Sequence, residues 1–582
     1  MTGPGASYTN VEIADRLERL ADLLELQEAN PFRVRAYRSA AEVIAAHDVS
    51  VAELDDEGLT AMKGIGKDLA RAVRDLVEAG EIPQLTALER EVPIGLLDVK
   101  RVPGVGPKRA ITLWKSLGVT GLDDLEREAR AGRVAALAGF GEKTQTKVLR
   151  GVEQVRAHRG RLRSVDAEVL VAPLVAHLAD AAGVERVEVA GSLRRGRETI
   201  GDVDVVAQSD DPEPVMAALR TYRGVRDVVG SGRAKTSVTL EGGQQVDLRV
   251  VDRAAYGAAL LYFTGSKSHN VELRSRAAAR GMRLSEYGLF DLDDDGEPGV
   301  RRAGASEEEI YRALELDFVP VELREGRGEV AAAADGTLPR LLQLEDLRGD
   351  LHLHTTWSDG ADDVATMVAA CEARGYAYMA ITDHSQALRM TGGLDAEKLA
   401  RQWGALDDFE REHDGVTILR GLEVDIRKDG TLDLDDDSLE RLDIVVASIH
   451  SHLELGRDAQ TQRVIRALEH PQVNVLAHPT GRILGVRDPY AIDLDAVFAA
   501  AASRGVAIEL NAAPQRLDVG DVDLMRAVTA GCTIVVDTDA HSVRGLEHMR
   551  FGVTTARRAW LGPEHVLNAW PLARVRAFLA KR

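Results

Sequence analysis

Apolar positions along this chain follow two rhythms. Through residues 8–90 they fall at helical spacing. Tyr8-Thr9-Asn10 offers a cap before an amphipathic run from Val11 to Leu26, Asn30-Pro31-Phe32 interrupts it, and Val34 to Ala46 predicts a second helix. An apolar-x-Gly-apolar-Gly pattern then recurs before helical runs, at Met62–Lys67, Val102–Lys108 and Leu137–Lys143. Its glycines are Gly64, Gly66, Gly104, Gly106, Gly139 and Gly141. Residues 165–253 alternate strands and helices, with an apolar strand Val187–Ala190 and an alternating strand Gln245–Val251. Glu325 to Gly336, rich in glycine and alanine, reads as a linker. Past Asp350, short apolar strands recur between helical segments, and each ends in polar residues. That arrangement suggests a barrel with its site at the strands' C-terminal ends.

A chain of 582 residues exceeds one core, so several domains are expected. Hydrophobic residues at 45% and charged residues at 29% describe a globular protein, and no apolar run approaches membrane length. The N-terminus lacks a basic-then-apolar signal. Only two cysteines, Cys371 and Cys532, occur. These features lead to the expectation of a reduced, cytoplasmic setting without membrane contact. The net charge of −21 argues against a nucleic-acid partner, but it conceals a local asymmetry. Between Val99 and Arg163 there are 15 lysines and arginines against 6 acids, including the cluster Arg156, Arg159, Arg161 and Arg163. A basic segment on an acidic protein directs phosphate binding to one place.

Residues 191–204, Gly-Ser-Leu-Arg-Arg-Gly-Arg-Glu-Thr-Ile-Gly-Asp-Val-Asp, carry the densest chemistry. Asp202 and Asp204 stand at i, i+2 in a strand, so both face one way. Two carboxylates side by side repel unless a divalent cation lies between them, and hard oxygen ligands suit Mg²⁺ or Mn²⁺. The preceding turn offers backbone N–H groups, the Ser192 hydroxyl and guanidinium forks, a cradle for polyphosphate. Asp247, on its own alternating strand, is a third acid for a two-metal site.

This stretch resembles the nucleotidyltransferase signature of X-family, DNA polymerase β-like enzymes. Downstream, Tyr262-Phe263-Thr264-Gly265-Ser266 with Asn270 and Arg274 resembles that family's contacts to the nucleotide sugar, base and minor groove. The resemblance implies that Asp202, Asp204 and Asp247 are catalytic and hold two Mg²⁺ or Mn²⁺ ions. It further implies that Gly191, Ser192, Arg195, Gly201, Tyr262, Phe263, Gly265, Asn270 and Arg274 bind the nucleotide. The three glycine hairpins resemble helix-hairpin-helix motifs, with Gly64, Gly66, Lys67, Gly104, Gly106, Lys108, Gly139, Gly141 and Lys143 approaching the DNA backbone independently of sequence. Related small domains often carry a 5′-deoxyribose-phosphate lyase whose nucleophile is a lysine. Ala72 stands at that position, and only Lys63 and Lys67 occur in residues 1–90. A Schiff base needs an amine, so the usual lyase is expected to be absent or weak. Arg35, Arg38 and Lys67 remain candidates for gripping a 5′-phosphate.

The C-terminal half places His352, His354, Asp359, His384, Glu423, His450, His478, Asp539 and His541 at or just past strand ends. Imidazoles with bridging carboxylates suit Zn²⁺, Mn²⁺ or Fe²⁺. The set resembles the PHP (polymerase and histidinol phosphatase) domain, a distorted β/α barrel, with all nine ligand positions of the family occupied. Two or three ions are implied there. Arg420, Lys428 and Arg482 are further candidates for phosphate contact. The acidic runs Asp291–Asp295 and Asp433–Asp437 read as turns.

The expected architecture is multidomain: an α-helical helix-hairpin-helix N-terminal region, an α+β nucleotidyltransferase palm and a C-terminal distorted β/α, TIM-like PHP barrel. Its segments are 1–90, a small helical domain; 91–163, DNA-binding; 164–253, palm; 254–328, nucleotide-selecting; 329–345, linker; and 346–582, PHP. This order resembles that of bacterial and archaeal X-family polymerases with a C-terminal PHP domain. The resemblance implies a monomer that fills short gaps in gapped or nicked DNA with dNTPs during repair. It also implies a 3′–5′ exonuclease, extending to AP-endonuclease or 3′-phosphatase action. Two alternatives stay open at this point: a DNA-binding scaffold with weak polymerisation, and a PHP half that hydrolyses small phosphate esters.

Overall fold

The computed structural model describes residues 8, 10–45, 47, 50–62, 64–158, 160–388 and 391–580. Lys63 and Arg159 lie outside them. The chain divides into two compact units, Met1–Arg159 and Gly160–Arg582.

All the regular elements described in the first unit are helices. Helices Asn10–Leu26 and Pro31–Ala45 bury Leu17, Leu20, Leu24, Tyr37 and Ile44. The second helix starts at Pro31 rather than Val34. Proline lacks the N–H that a first helical turn leaves unpaired, and the Asn30 side chain accepts from Phe32 N at 2.9 Å. In the first two glycine hairpins, Gly64 (φ 85°) and Gly104 (φ 89°) take the left-handed turn. Gly66 and Gly106 cap helices Lys67–Ala79 and Pro107–Leu117 without any side-chain cap. The third copy departs from this geometry. Gly139 (φ 84°) and Gly141 (φ 66°) are both left-handed, and Arg109 donates to Gly104 O at 2.7 Å and Gly139 O at 3.0 Å.

The basic cluster is less available than its sequence suggests. Arg156 is held by Asp123 and Glu126. In the second unit Arg163 pairs with Asp166 at 2.6 Å and Arg161 donates to Thr199 O at 2.6 Å. Arg38 is likewise engaged by Asp22 and Glu25 rather than free for a 5′-phosphate. Ala72 is buried on helix Lys67–Ala79 and carries no amine itself.

In the second unit a helix, Ser164–Ala179, precedes a five-stranded sheet of β1 (Arg186–Val189), β2 (Asp202–Gln208), β3 (Val225–Ser231), β4 (Lys235–Leu240) and β5 (Gln245–Val251). Its order is β1-β2-β5-β4-β3, with β2 and β5 parallel and the other pairs antiparallel. A one-turn helix, α1 (Gly191–Arg194), joins β1 toward β2. Helices α2 (Tyr256–Thr264) and α3 (Lys267–Ala278) follow, then three antiparallel strands within 282–303. Residues 329–335 are not a loose linker. They form a helix with Glu329 and Val330 buried, because alanine favours helix where the glycines stop.

The rest is a barrel of parallel strands in sequential order: β6 (Gly349–Leu353), β7 (Tyr378–Ile381), β8 (Thr417–Asp425), β9 (Ile444–Ser448), β10 (Val475–Leu476), β11 (Ala507–Asn511) and β12 (Ile534–Asp537). A parallel bridge between Leu353 and Ala540 links the last strand back to the first. Strands buried on both faces read as continuous apolar runs, as Ile444–Ala447 and Ile534–Val536 do.

Candidate active sites

Strand register assembles the acidic site. On parallel neighbours, Asp204 lies opposite Asp247 and Asp202 opposite Gln245. Burial, then Asp202 and Asp247, push the Asp204 carboxyl up to about 7. Burial also acts on Asp247, but Lys235, Ser237 and Gln245 hold it below its ordinary value. Lys235 Nζ sits 2.9 Å from Asp247 Oδ2, a contact the sequence did not reveal. The raised Asp204 marks crowded negative charge that divalent cations fit.

The turn before these acids is fixed by close packing. A Cβ on Gly191 would lie 2.3 Å from Asp204 Oδ2, and Gly191 has φ 62°. Arg195 is turned inward, with its Nε 3.0 Å from Glu325 and NH1 donating to Thr264 O. Gly201 is approached by the Arg161 guanidinium, and its carbonyl accepts from Gln244. Tyr262, Asn270 and Arg274 line one cavity with Leu284 and Ser285, and Asn270 Nδ2 donates to Tyr262 O at 2.7 Å. Phe263 stacks edge-on against Tyr262 and lies under Arg249. Gly265, at φ 67°, ends α2.

In the barrel, three groups have ligand atoms all within 4.8 Å of one another: His354, Asp359, His384 and His541; His352, His354 and Asp539; and His384, Glu423 and His450. Glu423 lies at the centre, 2.9 Å from His478 Nε2, 3.3 Å from His450 Nε2 and 3.5 Å from His352 Nε2. Asp359 Oδ1 is 3.5 Å from both His384 Nε2 and His541 Nε2. Burial drives His354 down to about 3, so a neutral imidazole is presented. His352 Nε2 and His354 Nδ1 are buried without a hydrogen-bond partner, while Glu423 Oε2 faces His384 Nδ1 at 2.7 Å and His354 Nε2 faces Asp539 at 3.1 Å. Buried polar atoms left unpaired are costly, and such a donor set fits divalent metal. His452 stands apart, half exposed at φ 53°.

Supporting carboxylates were missed in the sequence. Glu509 accepts from His352 Nδ1 at 2.6 Å and from His478 N at 2.6 Å. Asp425 faces His450 Nδ1 at 3.2 Å. Asp383 accepts from Thr355, Ser358 and Gln402, fixing the loop that carries Asp359. Partners of this kind orient the candidate metal ligands. The alternation Glu509-x-Asn511 in an apolar strand was the available signal. Asp433, in a run read as a turn, is buried and accepts from Ser385 and Ala387 N. Of the candidate phosphate contacts, Arg420 pairs with Asp407 and Glu410, and Arg482 with Glu198 at 2.7 Å.

Family models match four segments. They are a helix-hairpin-helix domain over residues 8–82, a SAM-like helix-hairpin-helix tandem over 96–152, the DNA polymerase beta thumb over 259–325 and the PHP domain over 350–513. The DNA polymerase/3′-5′ exonuclease PolX of Bacillus subtilis (strain 168) is 39% identical over 98% of this chain and 99% of its own length. This chain belongs to the PolX family. The PolX-type C-terminal half also resembles smaller proteins. A probable phosphatase of Shewanella sediminis is 33% identical over 40% of this chain and 94% of its own length. Another, from Syntrophotalea carbinolica, is 28% identical over 38% of this chain and 90% of its own. Both halves of a PolX chain depend on metal, and its substrates are DNA and nucleotides. No helix among the described residues is long and apolar enough to cross a membrane.

Proposed function

We propose that this PolX-family polymerase and 3′–5′ exonuclease fills short gaps as a monomer during DNA repair, using two spatially separate sites. Asp204 opposite Asp247, with Asp202 on the same strand, is the observation that carries the polymerase site. These three acids would hold Mg²⁺ or Mn²⁺, which would supply neutralisation of the triphosphate and acidification of the primer hydroxyl. Asp247 accepts the hydroxyl proton. Ser192, the N–H groups of α1 and Arg195 hold the outer phosphates, and Gly191 and Gly201 admit them closely. Tyr262, Phe263, Asn270 and Arg274 line the nucleoside. Gly64, Gly66, Lys67, Gly104, Gly106 and Lys108 grip the DNA backbone, with Gly139, Gly141 and Lys143 in a supporting place.

The nine barrel residues would hold two or three Zn²⁺, Mn²⁺ or Fe²⁺ ions, which would supply Lewis acidity and activation of water. The chain's own groups fix those ligands, Glu509 through His352 and Asp425 through His450. They set the imidazole tautomers.

A second reading for the barrel, hydrolysis of small phosphate esters, is favoured by its likeness to proteins named probable phosphatases. One experiment decides. The full chain is given a one-nucleotide-gapped duplex, dNTP and Mn²⁺, then the same duplex without dNTP, then histidinol phosphate. Extension and 3′ trimming, with little ester hydrolysis, are expected. Tight gap binding without extension refutes the polymerase assignment. Ester hydrolysis without trimming refutes the nuclease.

A further inference from the structure

The proposed phosphate turn rests on the barrel. A Cβ on Gly196 would come within 2.2 Å of Thr554 Cγ2, on helix α5 (Met549–Arg558). One turn later Arg558, 4% exposed, donates to Arg195 O at 2.7 Å and pairs with Glu325 Oε1 at 3.0 Å. Its other nitrogen pairs at 2.7 Å with Asp521, the first residue of helix α4 (Asp521–Thr529). Glu325, 9% exposed, is shared: Arg195 lies at 3.0 Å and Arg197 at 3.6 Å.

We propose that Arg558 is a positioning residue for nucleotide binding: it keeps Glu325 paired, so that Arg195 is free to turn from that carboxylate to the incoming triphosphate. The inference rests on the proposed role of the 191–197 turn. Arg195 binds Glu325 and the Thr264 carbonyl, and a fork so engaged cannot also hold phosphate. Moving one cation off a buried carboxylate leaves its charge less compensated, which opposes the move, and Arg197, more exposed and at 3.6 Å, is the weaker remaining contact. Arg558 cancels that opposition because it stays on the same oxygen of Glu325 after Arg195 departs. Asp521, itself also held by Arg327 at 3.1 Å, fixes the Arg558 fork in place. The bond to Arg195 O anchors the backbone while the side chain moves. Thus a barrel residue distant in sequence serves the polymerase half without touching substrate.

The test uses full-length protein and single-nucleotide gap filling, with Arg558→Ala, Arg558→Ala/Glu325→Gln and Arg195→Ala. Arg558→Ala is expected to raise the KM for dNTP about tenfold, with kcat within about threefold. Adding Glu325→Gln removes the stranded charge and returns KM to within about threefold of wild type, the remainder being the lost carbonyl anchor. Trimming of 3′ ends is unchanged in both, because Arg558 touches no barrel ligand. An unchanged KM in Arg558→Ala, a rise that Glu325→Gln fails to reverse, or an equal loss of trimming overturns the inference. If Arg195→Ala leaves the KM unaltered, the reading of the turn fails instead.

Discussion

Asp204→Asn is expected to make the metal-free protein more stable, in a manner that depends on pH. Burial and its two acidic neighbours raise the folded-state value of Asp204 from 3.8 to about 7. A carboxyl raised in this way favours the folded state only while protonated. Its cost is absent below the unfolded value near 3.8, grows as the pH rises and is complete above about 7. Roughly three units at about 1.4 kcal/mol each give about 4 kcal/mol as an upper figure, and relaxation and water entry lower it to about 2–4 kcal/mol. Asparagine keeps the shape and removes the charge. Urea unfolding in EDTA, read by tryptophan fluorescence, measures the difference; Trp357, Trp403, Trp560 and Trp570 report on the second unit and Trp114 on the first. The variant should match wild type near pH 4 and exceed it near pH 8, and Mg²⁺ should stabilise wild type but not the variant. Parallel stability curves for the two proteins from pH 4 to pH 8 would refute the argument that the acids crowd one another.

Other outcomes follow from contacts already described. Gly191→Ala drives a Cβ to 2.3 Å from Asp204 Oδ2 at a left-handed φ, so nucleotide incorporation should fall by about a hundredfold with trimming retained. Equal incorporation by the variant would contradict the tight fit. Glu509→Gln weakens the hold on His352 and should lower barrel metal affinity by about 10- to 100-fold, seen as metal content after dialysis; an unchanged content removes Glu509 from the site. Chelation should abolish both activities in wild type, with trimming recovering in Mn²⁺. Activity that survives exhaustive chelation would count against metal dependence.

The sequence displayed the chemistry better than the contacts between segments. Asp202-x-Asp204 and Asp247 were visible because strand alternation sets side-chain direction, and the register then brought Asp204 opposite Asp247. The nine barrel positions were visible because each stands at or just past the end of a short apolar strand, and the fold gathers them around Glu423. Contacts across long separations were not legible. Arg156 looked free for phosphate, yet Asp123 and Glu126 lie about thirty residues away on a packed helix. Arg558 reads as an ordinary helix-ending arginine, and only the docked fold brings it to Arg195. Glu509 was hidden among apolar neighbours. The helicity of 329–335 is not legible because glycines precede its alanines, and the third hairpin's altered backbone is invisible in a shared Gly-x-Gly.

The central claim is that two separate metal-holding clusters act on one DNA backbone. It is tested most directly with a 5′-labelled primer in a gapped duplex, resolved to single nucleotides, using wild type, Asp202→Ala and His384→Ala with Mn²⁺. Asp202→Ala is expected to shorten the primer without extending it, and His384→Ala to extend it without shortening it. Loss of both activities in either folded variant would contradict it.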